Sequence, residues 1–145
     1  AEIVATYDYR SAAGKLLYQV VRFSPKTFQQ RRPHPTREGA WVWHLSDCAE
    51  YNERRRKEGK PTCDCGLPAQ AHTLYRIPET IAALEAGDTV YIVEGEKDAD
   101  AMRDADAVAT TTSGGTGKWR DAFAALFVKH AQPGSAIRIV HDKDP

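Results

Sequence analysis

The pattern of apolar and polar positions changes character twice along the chain. Residues 3–9 and 16–23 are strand-like runs on either side of a polar turn containing Gly14, which predicts a hairpin. Further short strands are expected at 27–31 and 41–45, separated by a loop punctuated by Pro33, Pro35 and Gly39. The stretch at about 46–73 abandons this rhythm, is strongly charged from 50 to 60, and reads as a polar insertion. Residues 74–78 then lead into a helix at 79–86 that Gly87 closes. From 89 onward the order becomes strand 89–93, helix 97–103, strand 107–111, helix 118–131 and strand 136–140. Such alternation implies right-handed crossovers and a parallel sheet. The expected fold class is therefore α/β: a parallel sheet with helices on both faces over 81–145, preceded by a small β-rich basic lobe over 1–80.

Two of these strands stop abruptly at carboxylates. Val90-Tyr91-Ile92-Val93 runs into Glu94-Gly95-Glu96-Lys97-Asp98, and Ile137-Arg138-Ile139-Val140 runs into His141-Asp142-Lys143-Asp144. The carboxyl ends of parallel strands are where open α/β sheets hold their ligands. Several carboxylates gathered there repel one another unless a divalent cation lies between them, and hard oxygen ligands with Lys and Arg nearby point to magnesium and phosphates. Glu94, Asp142 and Asp144 are the candidate metal ligands, with Asp98 one helical turn beyond Glu94 in support. The plainer reading makes Glu94 a solvated strand end and the aspartates helix caps or turn residues.

Net charge adds little, because 20 Lys and Arg balance 20 Asp and Glu. Distribution adds more. Lys26, Arg31, Arg32 and the run Arg54-Arg55-Arg56-Lys57 lie in the first half, whereas acids gather around the two strand ends. A basic lobe joined to an acidic, cation-holding lobe suits an enzyme of phosphodiester chemistry. Arg31, Arg32 and Lys26 near Phe23, Phe28, Trp41 and Trp43 are read as a nucleotide or nucleic-acid contact, with Trp41 and Trp43 themselves assigned to the core. No stretch is apolar enough for a bilayer and no secretory h-region is visible, so a cytoplasmic protein without a membrane partner is expected.

Three cysteines do not make a disulfide framework. Cys48, Cys63, Cys65 and His72 do supply the ligand types of a structural zinc site, with His44 as a competing fourth ligand. Cys-x-Cys is tighter than the usual spacing, and the alternative is three unrelated reduced thiols in a surface loop. Gly114, Gly115 and Lys118 belong to a Gly-rich turn that lacks the full phosphate-loop spacing.

The hydrophobic-Glu94-Gly95 motif, Asp98, and the Asp142-Lys143-Asp144 pair, in this order and with a Gly-Gly turn between them, resemble the TOPRIM domain of primases, topoisomerases and some nucleases. The likeness covers 89–145. A softer likeness over the first half, through Gln19-Val20-Val21-Arg22-Phe23, Arg31-Arg32-Pro33 and Leu74-Tyr75-Arg76-Ile77-Pro78, is to primases or primase-helicases of phage and prophage type. The resemblance implies a TOPRIM-like, Rossmannoid sheet and metal-dependent synthesis of primers. It also implies Mg2+ or Mn2+ at Glu94, Asp98, Asp142 and Asp144, with Gly114, Gly115 and Lys118 close to phosphates. Its implied partners are single-stranded DNA, nucleoside triphosphates and a helicase, as a domain or a separate protein. TOPRIM domains continue beyond this motif, so it further implies a core cut short after Asp144. A TOPRIM nuclease and a non-catalytic nucleic-acid-binding replication or recombination module remain the alternatives.

Overall fold

The protein, described here by a computed structural model covering residues 1–113 and 119–141, is a mixed α/β chain. It divides into two compact units. The first comprises Ala1–Asp8 and Leu17–Ala71, and the second comprises Tyr9–Leu16 with the chain from His72 onward.

In the first unit, strands β1 (Glu2–Arg10), β2 (Leu16–Ser24), β3 (Thr27–Pro33) and β4 (Trp41–Val42) form one sheet in that order. β3 runs antiparallel to both β2 and β4. Opposed residues share a face, so the pairs Gln19↔Arg31 and Pro33↔Trp41 place Arg31 and Trp41 on one side. The pair Arg32↔Val42 lies on the other. β4 is shorter than expected because the chain turns into the insertion after Val42, where Gln70 N donates to Leu45 O at 2.8 Å.

The insertion contains a helix that periodicity did not announce, α1 (Cys48–Lys57). Its signals are at its ends. Asp47 Oδ1 accepts from Ala49 N and Glu50 N at 3.0 and 3.2 Å, and Arg54, Arg55, Arg56 and Lys57 complement the dipole in the last turn. Cys48 is its one buried residue.

In the second unit, α2 (Ile77–Glu85), β5 (Thr89–Ile92), α3 (Glu96–Asp104), β6 (Val108–Thr110), α4 (Trp119–His130) and β7 (Ala136–Ile139) follow in turn. The strands are parallel in the order β6-β5-β7. Val90 and Ile92, alternate residues of β5, pack with Ile77, Leu84 and Phe123 of α2 and α4. α3 connects β5 to β6, and α4 connects β6 to β7 on the other side of β5 in the strand order. Leu74 and Tyr75 join this unit because they pair with the end of β6, through the Leu74↔Thr112 bridge and Tyr75 N→Thr111 O at 2.8 Å. The second compact unit accordingly takes in the chain from His72 onward.

The hairpin tip enters the second unit through Tyr9. Its ring is fully buried, lies 5.2 Å from that of Tyr75, and its hydroxyl donates to Glu96 Oε2 at 2.7 Å. A part-buried hydrogen bond to a carboxylate contributes about 2 kcal/mol. Tyr9→Phe is expected to lower unfolding stability by about that amount in a urea titration, without loss of the folded baseline.

Candidate functional site

Glu94 follows the central strand β5 and lies at the carboxyl edge of the parallel sheet. Val140 N donates to Ile92 O at 2.9 Å, which continues the β5–β7 pairing to that edge. There His141 Nδ1 approaches Glu94 Oε1 to 3.7 Å. An exposed pair at this distance contributes little stability. Its value is positional: it sets the residue just before Asp142 beside Glu94.

The neighbouring acids differ in what engages them. Glu96 accepts from Tyr9, and Asp100 Oδ1 accepts from Tyr75 Oη at 2.8 Å and from Arg76 Nε at 3.3 Å. Burial, then the Asp100 carboxylate, pushes the Tyr75 hydroxyl far above its ordinary pKa, so Tyr75 remains a donor. Asp98, in the first turn of α3, is half-buried and forms neither a hydrogen bond nor an ion pair among the described residues. Among the described acids at this edge, Asp98 has no partner and Glu94 has only the long pair to His141. Gly95 caps α3 in an extended conformation, and a Cβ there would meet no atom within 4 Å. Open space at this edge, rather than backbone strain, is what that glycine provides. Asp142, Asp144, Gly114, Gly115 and Lys118 lie outside the described residues.

Comparison of the chain with protein-family models, with curated proteins and with solved structures returns no match. What the site can do rests on its own geometry.

In the first unit the expected basic contact separates into three environments. Arg31 stands over Trp41 at 4.0 Å and Trp43 at 5.0 Å, and donates to Gln19 Oε1 at 2.8 Å. Trp43 is exposed and Trp41 half-exposed, which corrects their assignment to the core: they form a surface ledge with Arg31. Arg32 is buried on the other face, donating from Nη1 to Pro68 O and from Nη2 to Ser46 O, each at 2.6 Å. It therefore cannot touch a template, contrary to the sequence expectation, and holds the insertion to the sheet instead. Lys26 is exposed in the β2–β3 turn, at the far end of β3 and about 15 Å along the strand from Arg31.

The insertion also gathers thiols and an imidazole. His44, Cys48 and Cys63 each offer a ligand atom within 4.8 Å of the others, a grouping that could hold a metal ion. His44 takes the place expected for His72, which belongs to the second unit and pairs through Nδ1 with Ser113 Oγ at 2.9 Å. The readable signal was His44 four residues ahead of Cys48, where the strand leads into α1. Burial, then the Arg32 charge, lowers the His44 pKa, which keeps the ring neutral and able to coordinate. Burial, then the neighbouring Cys63, pushes the Cys65 thiol up to about 11, and burial likewise raises Cys48. In a second grouping, His34 with Asp64 and Cys65, two members are already engaged: Asp64 Oδ1 accepts from Arg37 Nη2 at 2.9 Å, and His34 Nδ1 accepts from Arg37 N at 3.0 Å.

Proposed function

We propose that the protein is the core of a TOPRIM-type primase, synthesising short primers on single-stranded DNA by metal-dependent nucleotidyl transfer. The observation that carries this reading is Glu94 at the carboxyl end of the central parallel strand, with the end of β7 beside it through His141. The motif resemblance supplies the reaction class. In this reading Glu94, Asp142 and Asp144 hold magnesium or manganese, Asp98 supports them, and Gly114, Gly115 and Lys118 meet phosphate. The residues on hand fit such an ion, because Glu94 and Asp98 are hard oxygen donors not committed to a strong partner. Bound metal would activate the 3′-hydroxyl of the initiating nucleotide and stabilise the departing pyrophosphate. A helicase partner and a cytoplasmic setting belong to the same reading, and the cysteines of the insertion take a structural zinc.

The cation-on-indole ledge of Arg31, Trp41 and Trp43 supports contact with single-stranded nucleic acid, where bases stack on aromatic faces and phosphates seek cations. Arg31→Ala is expected to weaken binding of a single-stranded oligonucleotide by about tenfold at low salt and to flatten its salt dependence by about one counterion. Fluorescence anisotropy across a salt series measures both. Arg32→Ala is expected instead to lower folding stability, because it strips a donor from two carbonyls.

The test of the activity is incubation with labelled ribonucleoside triphosphates, magnesium or manganese, and unprimed single-stranded DNA. Short template-dependent products are expected. Cleavage of the DNA under the same conditions would favour a TOPRIM nuclease. Binding with neither reaction would favour a replication or recombination module without catalysis.

A further inference from the structure

The zinc of the proposed function can be argued further, and independently of any primase activity, from the charge and geometry of the insertion. Residues 46–71 have almost no core. Beyond Leu45, the buried positions they contribute reduce to Cys48, and α1 carries no apolar stripe. A ten-residue helix without a packed face is marginal in water. Something other than apolar burial must hold it.

The polar groups around the thiols are nevertheless closely tied. Asn52 clamps the Cys63 backbone from both sides: Nδ2 donates to Cys63 O and Oδ1 accepts from Cys63 N, each at 2.8 Å. Tyr51 stacks on His44 with ring centroids 3.6 Å apart and 9° between planes. Cys48 N donates to Leu67 O at 2.9 Å. His44 Nε2 lies 3.4 Å from Cys63 Sγ and 3.9 Å from Cys48 Sγ. Zinc bonds of about 2.3 Å to sulfur and 2.0 Å to nitrogen give tetrahedral edges of about 3.5 Å from nitrogen to sulfur. Cys65, the third cysteine, stands two residues beyond Cys63 and is the remaining thiol able to complete the set, although its Sγ groups with His34 and Asp64 rather than within 4.8 Å of all three.

Arg32 supplies the independent observation. Its guanidinium is buried and, among the described residues, its Nε has no partner and none of its contacts is a carboxylate. The remaining contact is Nη2 to Cys48 Sγ at 3.9 Å. A buried, permanently charged group without a counter-charge costs several kcal/mol. Zinc with three thiolates and a neutral imidazole carries one negative charge, which one guanidinium offsets. We propose that His44, Cys48, Cys63 and Cys65 form a tetrahedral zinc site whose charge the buried Arg32 balances, and that this zinc is the core of the insertion. Loading breaks three S–H bonds, forms three S–Zn bonds and one N–Zn bond, and releases three protons to solvent. Arg32 is here a positioning residue that orients Cys48 and neutralises the cluster.

The experiment is metal analysis and cobalt substitution of the full chain purified under reducing conditions without chelator. One zinc per chain is expected, and the cobalt form is expected to show the intense visible absorption and sulfur charge-transfer bands of a tetrahedral three-sulfur site. Cys65→Ser should weaken zinc binding in a chelator competition by more than tenfold and shift the cobalt spectrum, whereas His72→Ala should change neither. Arg32→Met should lower zinc affinity by about 10–100-fold while keeping the ligand spectrum, and Arg32→Lys should recover part of the loss. Wild-type thiol labelling with and without chelator gives a readout that needs no variant: thiols protected until the metal is removed are expected. Absence of zinc with freely reactive thiols in a folded chain would overturn the site. An unchanged cobalt spectrum in Cys65→Ser would overturn the fourth ligand, and unchanged affinity in Arg32→Met would overturn the charge balance. None of these outcomes depends on primer synthesis, so the zinc and the primase readings fail separately.

Discussion

Stripping the metal from the insertion, or replacing Cys48 with serine, is expected to open the region from 46 to 71 while the second unit keeps its fold. The physical ground is the absence of any other core: α1 is polar around its circumference, and Cys48 is both its one buried residue and a proposed ligand. Structural zinc in small domains binds with roughly 10–16 kcal/mol, and that binding energy is folding energy. Only part of it would be felt here, because the first-unit sheet retains its own contacts. A loss of at least about 3 kcal/mol, or roughly 10 °C in Tm, is the expected scale. Limited trypsin digestion reads the same event locally. Arg54, Arg55, Arg56, Lys57 and Lys60 crowd the end of α1 and the turn after it. They should resist cleavage in the zinc-loaded chain and be cut early after chelation. Equal cutting in both forms would remove the metal from the account of this region.

Glu94→Gln is expected to lower primer synthesis by at least about a hundredfold with no measurable loss of stability. The side chain is half-exposed, and its one partner among the described residues is the long pair to His141, so the amide costs the fold almost nothing. The change removes a full negative charge from the proposed ion site while keeping its shape. Asp98→Asn should fall by less, since Asp98 stands one turn further along α3. Rates with saturating triphosphate, set beside single-stranded DNA affinity, separate the two contributions: both variants should bind DNA as the wild type does. Wild-type rates in Glu94→Gln would take Glu94 out of the chemistry.

The parallel sheet was legible because its strands are short β-branched runs separated by helical segments, and β5, β6 and β7 fall where those runs predict them. α1 was not legible, because the usual signal for a helix is an apolar face, and this one has none. Only Asp47 and the closing basic run marked its ends. Arg31 and Arg32 show a different limit. Read as one basic pair, they would serve one ligand. Read with the period of a strand, they must face opposite ways, and the structure sends Arg31 to the indoles and Arg32 to the carbonyls of the insertion. The exchange of His72 for His44 has a similar origin. Cysteines and histidines close in sequence were grouped together, yet Thr73 is followed by Leu74 and Tyr75, which pair with the end of β6 and carry the preceding residue into the second unit. The carboxylate at the end of β5 was readable from its motif. Which of its acidic neighbours are already engaged was not, because Tyr9 and Tyr75 reach Glu96 and Asp100 only through the tertiary fold.

The proposed divalent ion would sit at the carboxyl edge of the parallel sheet, against Glu94. Iron(II) in place of magnesium, with ascorbate and peroxide, cuts the backbone wherever the ion is bound. The expected cuts fall near 92–96, 111–113 and 139–141, the carboxyl ends of β5, β6 and β7, and excess magnesium should suppress them together. Cuts that avoid residues 92–96, or that persist unchanged under excess magnesium, would place no such ion at Glu94.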